Sequence, residues 1–142
     1  MADDVRFTGL NLICADVDAT IAFYALLGVT WGEDLIWRTA TGAHHVSGVE
    51  VGSSAELELD SAALGEAYGA GDATTLLGFG VPSREAVDEV HQRLVDAGHP
   101  SRIAPHDAFW GARFAIVDDP DGRAVGLLSP RDPDRGGPPP DL

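Results

Sequence analysis

The chain has 142 residues, of which 44% are hydrophobic, and its formal net charge of −14 comes from 9 basic and 23 acidic residues. This size and composition predict one globular domain and argue against a disordered or fibrous chain. The negative charge argues against a nucleic-acid partner, because phosphates are bound by basic surfaces.

The sequence gives no sign of a membrane segment or an export signal. No stretch reaches the ~18 apolar residues of a membrane span, and Met1-Ala2-Asp3-Asp4 is acidic where a signal peptide is basic. We therefore expect a cytoplasmic protein with no membrane partner. The single cysteine, Cys14, lies in an apolar run and is interpreted as a buried small hydrophobic residue.

The first half of the chain predicts a strand, a helix and three further strands. An apolar run at residues 6–14 has β character, and Asp16 or Asp18 is the predicted N-cap of a helix that ends at Gly28. In the last of the three strands, acidic residues alternate with leucines, as is typical of a half-buried strand. These strand patterns lie at about residues 35–38, 44–51 and 55–60.

The same order of elements begins again after a stretch rich in Ala and Gly at residues 61–72, which is interpreted as a linker. Residues 74–81 predict a strand, and Ser83 is the predicted N-cap of a helix that ends at Gly98. Three strand patterns follow, at about residues 101–104, 111–117 and 124–128. A repeated βαβββ unit is the simplest description, and the proline-rich residues 131–142 predict a disordered tail.

Two phrases within this repeat resemble those of a known family: DVDATIAFYALLGVTW at residues 16–31 and WGARFAIVDDPDGRAVGLLSP at residues 110–130. Over roughly residues 6–130 the chain resembles the vicinal oxygen chelate superfamily, which includes glyoxalase I, bleomycin-resistance proteins and extradiol dioxygenases. The resemblance implies an α+β fold in a single domain of residues 1–130. Its two βαβββ modules, at about residues 6–60 and 74–129, would form a half-open curved-sheet barrel around one cavity. It also implies a homodimer.

Metal-dependent members of that family hold a divalent ion with His, Gln or Glu side chains at four positions. The resemblance places these positions at Gly9, Glu58 (or Glu56), Leu76 and Gly126. Only the glutamate supplies a donor atom, and one carboxylate does not hold an ion against water. We therefore expect no metal and no other cofactor at this position.

The five histidines do not form an alternative metal motif, because they lack HxH, HxxxH and HExxH spacings. His44 and His45 are neighbours in one predicted strand, so only one of them can face a cavity. His91 is predicted to lie on the solvated face of its helix, and His99 and His106 are predicted to lie in loops. A metal site elsewhere in the chain is not expected.

Without metal ligands, the cavity is expected to be wider and more apolar, and to bind a small molecule. Trp37 and Trp110 are candidates for an aromatic wall, whereas Trp31 is interpreted as a core residue. The candidates for polar contacts with a ligand are Asn11, His44 or His45, Glu58 and Arg113.

Two classes of function stay open. The first is metal-independent binding, in which the protein sequesters an aromatic or cationic compound such as an antibiotic. The second is a glyoxalase-like lyase or isomerase, or a dioxygenase-related enzyme, that acts on a small oxygenated metabolite. In that case His44, Glu58 or Arg113 would transfer a proton. Binding is favoured because no nucleophile–base pair and no carboxylate pair marks a catalytic centre.

Overall fold

The computed structural model describes residues 5–25, 30–50, 56–120 and 122–142, and in these residues it shows one eight-stranded sheet and three α-helices. The strands are β1 Arg6–Cys14, β2 Ile36–Thr39, β3 Gly42–Glu50, β4 Glu56–Ser61, β5 Thr75–Gly80, β6 Ser101–Asp107, β7 Arg113–Asp118 and β8 Ala124–Leu128. The helices are α1 Val17–Ala25, α2 Ala62–Ala67 and α3 Arg84–Asp96. None of these helices is long and apolar enough to cross a lipid bilayer.

The sheet is built from two equivalent halves that meet at its centre. The strand order is β2-β3-β4-β1-β5-β8-β7-β6, in which β1 pairs with β4 in parallel and β5 pairs with β8 in parallel. The halves join through the antiparallel pair β1–β5. This arrangement confirms the predicted α+β fold of two βαβββ modules in a curved sheet that does not close, and it places the two first strands at the centre.

Local sequence signals explain where the two longer helices begin. The Asp16 carboxylate accepts a hydrogen bond from the Ala19 amide at 3.0 Å, and the Ser83 hydroxyl accepts one from the Ala86 amide at 3.1 Å. Of the two candidate caps of α1, Asp16 therefore fills the role. Gly98 has a φ of 96°, as expected of a glycine after a helix. The predicted end of α1 at Gly28 lies outside the described residues.

Each half packs its helix on one face of the sheet and leaves the other face for a cavity. Val17 of α1 belongs to a buried cluster with Val46 and Leu59. Val87 and Val90 of α3 pack in a second cluster with residues of β7 and β8. Cys14 is buried in the first cluster and Trp31 packs against it, as predicted for both. Because neighbouring residues in a strand point to opposite faces, the alternate residues of β1, β3, β4 and β5 face the cavity.

Three local predictions need correction. Residues 61–72 were interpreted as a linker, but they contain α2, because Ser61 caps it through the Leu64 amide at 3.0 Å and alanine favours helix. The predicted exposure of His91 is wrong, since its imidazole is buried and lies 2.7 Å from the Ser101 hydroxyl. His106 lies in β6 rather than in a loop.

Residues 131–142, here called the C-terminal strap, were predicted to be a disordered tail, and the structure instead places them against the folded domain. The Asp132 amide donates to the Gly111 carbonyl at 3.1 Å, and the Gly137 amide donates to the Phe109 carbonyl at 2.8 Å. Leu142 packs against the buried cluster that contains Phe114. The acceptors of these hydrogen bonds lie more than twenty residues earlier in the sequence. The local proline content, which indicates disorder, contains no information about them.

Candidate ligand-binding cavity

The inner face of the sheet encloses a cavity of about 850 Å³ that receives side chains from both halves and from the C-terminal strap. Its lining divides into a polar wall, contributed by β1, β3 and β4, and an aromatic wall, contributed mainly by β2, β7 and the turn at residues 109–112. A cavity of this size is within the range of sites that enclose drug-sized molecules.

Asp60 is the centre of the polar wall. It is only 1% exposed, and its carboxylate accepts hydrogen bonds from His45 Nδ1 at 2.5 Å, from Asn11 Nδ2 at 2.8 Å and from the Tyr68 hydroxyl at 2.9 Å. Asn11 Nδ2 also donates to Glu58 Oε2 at 3.0 Å. Strand pairing brings these groups together, because Asn11 lies opposite Glu58 and His45 lies opposite Asp60. The polar wall is therefore one connected network.

Burial and charge shift the acid–base properties of this network. Burial lowers the pKa of His45, but the hydrogen bond and the charge of Asp60, with a further contribution from Glu58, raise it more, so this pKa lies above its ordinary value. Burial raises the pKa of Glu58, and the effect of Asp60 in the same direction is opposed by His45. Burial and the Asp60 charge also raise the pKa of Tyr68, which keeps its hydroxyl protonated as a donor.

The aromatic wall consists of five rings in contact with one another. The ring centroids of Trp110 and Phe114 are 5.1 Å apart, those of Phe109 and Trp110 are 5.2 Å apart, and those of Trp37 and Phe109 are 6.5 Å apart. Tyr68 meets Phe114 edge to face at 5.8 Å. Such tilted and edge-to-face contacts are favourable for aromatic pairs and give the wall a fixed shape.

The residues at the four family metal positions do not fit a divalent ion. Gly9, Leu76 and Gly126 carry no donor atom, and the remaining residue, Glu58, already accepts a hydrogen bond from Asn11. In the described residues, no group of three or more His, Cys, Asp or Glu side chains is placed to hold an ion. These four positions therefore lack the set of donor atoms that a divalent ion needs.

Two glycines on the cavity face allow close packing instead of widening the cavity as expected. A Cβ atom added to Gly126 would lie 3.2 Å from Phe114 Cε2 and 3.4 Å from both methyl groups of Leu76, so packed side chains fill this space. A Cβ atom added to Gly9 would collide with the main-chain oxygen of Glu56 on the neighbouring strand. The expectation of extra room at these two positions is wrong.

Four of the six predicted ligand-contacting residues line the cavity: Asn11, Trp37, Glu58 and Trp110. In the histidine pair it is His45 that lines the cavity, while His44 is buried elsewhere, with Nδ1 2.7 Å from the Ser61 hydroxyl. Arg113 forms ion pairs with Asp88 of α3 at 2.9 Å and with Asp107 of β6 at 3.2 Å. The structure thus places His44 in a hydrogen bond outside the cavity and Arg113 in a surface ion-pair network.

The sequence interpretation missed Asp60, Tyr68, Phe109 and the C-terminal strap as parts of the cavity. The alternation of β4 was a usable signal for Asp60, because residues two apart in a strand share a face and Glu58 was already a candidate. Tyr68 lies in residues 61–72, whose Ala and Gly content predicts a linker. No local pattern indicated that the strap would return to the cavity.

The matches to known proteins agree with this architecture. Residues 6–127 match the family model described as Glyoxalase/Bleomycin resistance protein/Dioxygenase superfamily. None of the curated proteins compared with the chain matched it.

Several solved structures share the fold at low sequence identity. The NAD-dependent benzaldehyde dehydrogenase from Legionella pneumophila has a TM-score of 0.59 and 20% identity, with 84% of this chain and 96% of that chain covered. A glyoxalase/bleomycin resistance protein/dioxygenase superfamily member from Vibrio splendidus 12B01 has a TM-score of 0.56 and 15% identity, with 88% and 97% covered. The 2,3-dioxygenase LapB from Pseudomonas sp. KL28 has a TM-score of 0.59 and 11% identity, with 89% and 43% covered. Likeness at these identities shows the fold alone.

Proposed function

The chain belongs to the glyoxalase/bleomycin resistance protein/dioxygenase superfamily, and from this premise we propose that it binds a small planar cation in its cavity without the help of a metal ion. Sequestration of a compound such as a cationic aromatic antibiotic is the corresponding biological role. The observation that carries the proposal is the presence, in one cavity, of an aromatic wall and a wall of carboxylates.

The aromatic wall supports the planar part of the proposal. Trp37, Phe109 and Trp110 line one side of the cavity, and their mutual contacts fix the ring positions before a ligand arrives. A flat ligand can stack on these rings. A positive charge on it would add a cation–π contribution of about 0.5–2 kcal/mol.

The carboxylates support the cationic part. Glu56, Glu58 and Asp60 all line the cavity, and no hydrogen-bond partner contacts Glu58 Oε1 among the described residues. This oxygen is therefore available to a ligand N–H group. The net charge of −14 favours cations further, because it raises their concentration near the surface.

Metal independence rests on the donor set at the family positions. Gly9, Leu76 and Gly126 have no atom to give to an ion, so a ligand would have to be held by the two walls themselves. The connected hydrogen bonds of the polar wall make this possible, because they hold the carboxylates in place before binding.

The test is a tryptophan fluorescence titration with proflavine, a planar cation, compared with anthracene-2-carboxylate, a planar anion. We expect saturable quenching by proflavine and none by the anion. Glu58→Gln should weaken proflavine binding about tenfold, because it removes a charged contact of about 1.4 kcal/mol. Glu66→Gln, which removes the same charge at an exposed position on α2, is the matched control and should bind like the wild type. Equal binding of cation and anion, or no saturable quenching, would overturn the proposal.

A second candidate function is favoured by the His45–Asp60 pair. The Asp60 carboxylate fixes the His45 ring at 2.5 Å, and among the described residues no group hydrogen-bonds to His45 Nε2, so this nitrogen is available for proton transfer in the cavity. The corresponding function is a metal-independent lyase or isomerase of the glyoxalase-like class. Turnover of a hemithioacetal by EDTA-treated protein that disappears in His45→Gln would support it, whereas absence of turnover would leave binding as the function.

A further inference from the structure

The C-terminal strap forms one side of the cavity, and its two ends are held by different elements. Five of its residues line the cavity: Arg131, Pro133, Gly136, Gly137 and Pro139. The first part of the strap is attached to the turn at residues 109–112, and its far end is attached near the β2–β3 connection. A ligand that leaves on this side must displace the strap.

The first part of the strap is held by several hydrogen bonds. The Asp132 amide donates to the Gly111 carbonyl at 3.1 Å, Arg131 Nε donates to the Trp110 carbonyl at 2.8 Å, and the Gly137 amide donates to the Phe109 carbonyl at 2.8 Å. These acceptors belong to the turn that also carries two rings of the aromatic wall. This part of the strap is therefore fixed to the wall itself.

The sequence of the remaining strap has the properties of a hinge followed by a stiff arm. Gly136 and Gly137 have wide backbone freedom, because glycine lacks a Cβ atom. Residues 138–140 are all proline, which favours an extended and stiff segment with no amide hydrogen to donate. Residues 138–142, here called the arm, can therefore move together about the two glycines when the contacts of Leu142 are broken.

The far end of the arm is held by the packing of Leu142 against the cluster that contains Phe114, and by a chain of side-chain hydrogen bonds that begins outside the cavity. Thr41 Oγ1 donates to the main-chain oxygen of Leu142 at 3.1 Å and lies 2.7 Å from His44 Nε2. The hydroxyl of Thr39 lies 2.9 Å from both of these groups. His44 Nδ1 lies 2.7 Å from the Ser61 hydroxyl, which accepts from the Leu64 amide at 3.0 Å. We call Thr41, His44 and Ser61 the latch.

Donor and acceptor counting assigns a direction to the latch. The Leu142 oxygen only accepts, so the single hydroxyl hydrogen of Thr41 is used there, and His44 Nε2 must donate to Thr41. His44 Nδ1 is then an acceptor for the Ser61 hydroxyl hydrogen, whose oxygen accepts the Leu64 amide. Because the Thr41 hydrogen is already used, the Thr39 hydroxyl donates to Thr41 Oγ1 and its own oxygen shares the His44 Nε2 hydrogen. Every donor has an acceptor in this arrangement, and the N-terminus of α2 is thereby linked to the end of the strap.

We infer that residues 138–142 form a gate over the ligand cavity, and that the latch of Thr41, His44 and Ser61 sets how fast ligand enters and leaves. The inference rests on the proposed binding of a planar cation, and it concerns the exchange of that ligand. The latch residues are positioning residues, because they act through the arm and not by contact with the ligand. His44, adjacent in the chain to His45 of the polar wall, holds the gate.

Thr41→Val tests the latch, because it keeps the shape of the side chain and removes the hydroxyl. With proflavine as the probe, stopped-flow fluorescence should show association and dissociation rates that both rise about fivefold, as expected for the loss of one hydrogen bond. The Kd should stay within about twofold of the wild-type value. Thr74→Val, at an exposed threonine outside the latch, should behave like the wild type. Unchanged rates in Thr41→Val would overturn the inference, and so would a raised Kd with an unchanged association rate.

A second measurement needs no ligand and separates failure of the gate from failure of the proposed function. A variant that lacks residues 138–142 removes the arm altogether. Acrylamide quenching of tryptophan fluorescence should increase in Thr41→Val and increase further in the deletion variant, while Thr74→Val should match the wild type. If proflavine does not bind but quenching follows this order, the gate stands and the proposed ligand class fails. If quenching is equal in wild type and Thr41→Val, the gate is wrong.

Discussion

Asp60 organises the polar wall through donors from three different parts of the chain. His45 comes from β3, Asn11 from β1, and Tyr68 follows α2. The alternation of β4 predicts that Asp60 shares a face with Glu58, but it does not predict which donors meet it, because that depends on the order of the strands. Four of the six candidate residues line the cavity, whereas Asp60 at the centre of the network was not among the candidates.

Replacement of this carboxylate should destabilise the protein. In Asp60→Asn, the three donors lose a charged acceptor in a position that is 1% exposed. We expect the free energy of unfolding to fall by about 3 kcal/mol, since hydrogen bonds to a charged group contribute about 1.5–3 kcal/mol each and part of them survives with the amide oxygen. Urea denaturation measures the change. Asp72→Asn, at a fully exposed side chain, should change stability by less than about 0.5 kcal/mol, and equal effects would contradict the assignment.

His45 gives the stability a predictable dependence on pH. Its pKa in the folded protein is raised above the ordinary value, because the hydrogen bond and charge of Asp60 outweigh the effect of burial. The stabilisation is therefore fully present below the unfolded pKa of about 6.5 and is lost as the pH rises through the folded pKa. The difference in unfolding free energy between wild type and His45→Gln should be larger at about pH 5.5 than at about pH 9. A difference that is constant or grows with pH would contradict this.

At the scale of elements, β1 and β8 each contain a glycine on the cavity face, and the two differ in what surrounds them. Gly9 faces the main-chain oxygen of Glu56 across the parallel pair β1–β4, which cannot move without the strand. A Cβ atom on Gly126 would meet side-chain atoms of Phe114 and Leu76 at 3.2 to 3.4 Å, which need to shift by only a few tenths of an ångström. Gly9→Ala should therefore lower the free energy of unfolding by about 3 kcal/mol, and Gly126→Ala by less than about 1 kcal/mol. Thermal or urea denaturation compares them, and a larger loss in Gly126→Ala would be the contrary result.

The aromatic wall is built on β2 and on the turn at residues 109–112, so only two of the three tryptophans should report on the ligand. Trp37 and Trp110 line the cavity, whereas Trp31 packs against the cluster below α1. In proflavine titrations, Trp31→Phe should keep most of the saturable quenching, while Trp37→Phe and Trp110→Phe should each lose a large part of it. Loss of quenching in Trp31→Phe alone would place the ligand elsewhere.

Most helices and strands could be predicted because their sequence signals are local. The predictions that failed concern contacts between residues that are far apart in the sequence. The strands follow from alternation, and the starts of α1 and α3 follow from Asp16 and Ser83. The order of the C-terminal strap depends on acceptors in the turn at residues 109–112 and on Thr41, which no local pattern reveals. The small residue at Gly126 was visible in the sequence, but the Phe114 ring that fills its space was not.

At the scale of the whole molecule, β1 and β5 pair with each other and join the two modules into one sheet. The pairing brings the carboxylates and Trp37 of the first module to the same cavity as Phe109, Trp110 and Phe114 of the second. The cavity therefore has both a polar wall and an aromatic wall only when the two modules are joined. The homodimer and the cytoplasmic location stay predictions.

The central claim is that this family member binds a planar cation without a metal ion, and calorimetric titration of EDTA-treated protein with proflavine tests it most directly. We expect saturable binding of one proflavine per chain, with a Kd that changes by less than about twofold when Zn²⁺ or Mn²⁺ is added, because the side chains of Gly9, Leu76 and Gly126 offer an ion no ligand. Binding that occurs only after a divalent ion is added would contradict it.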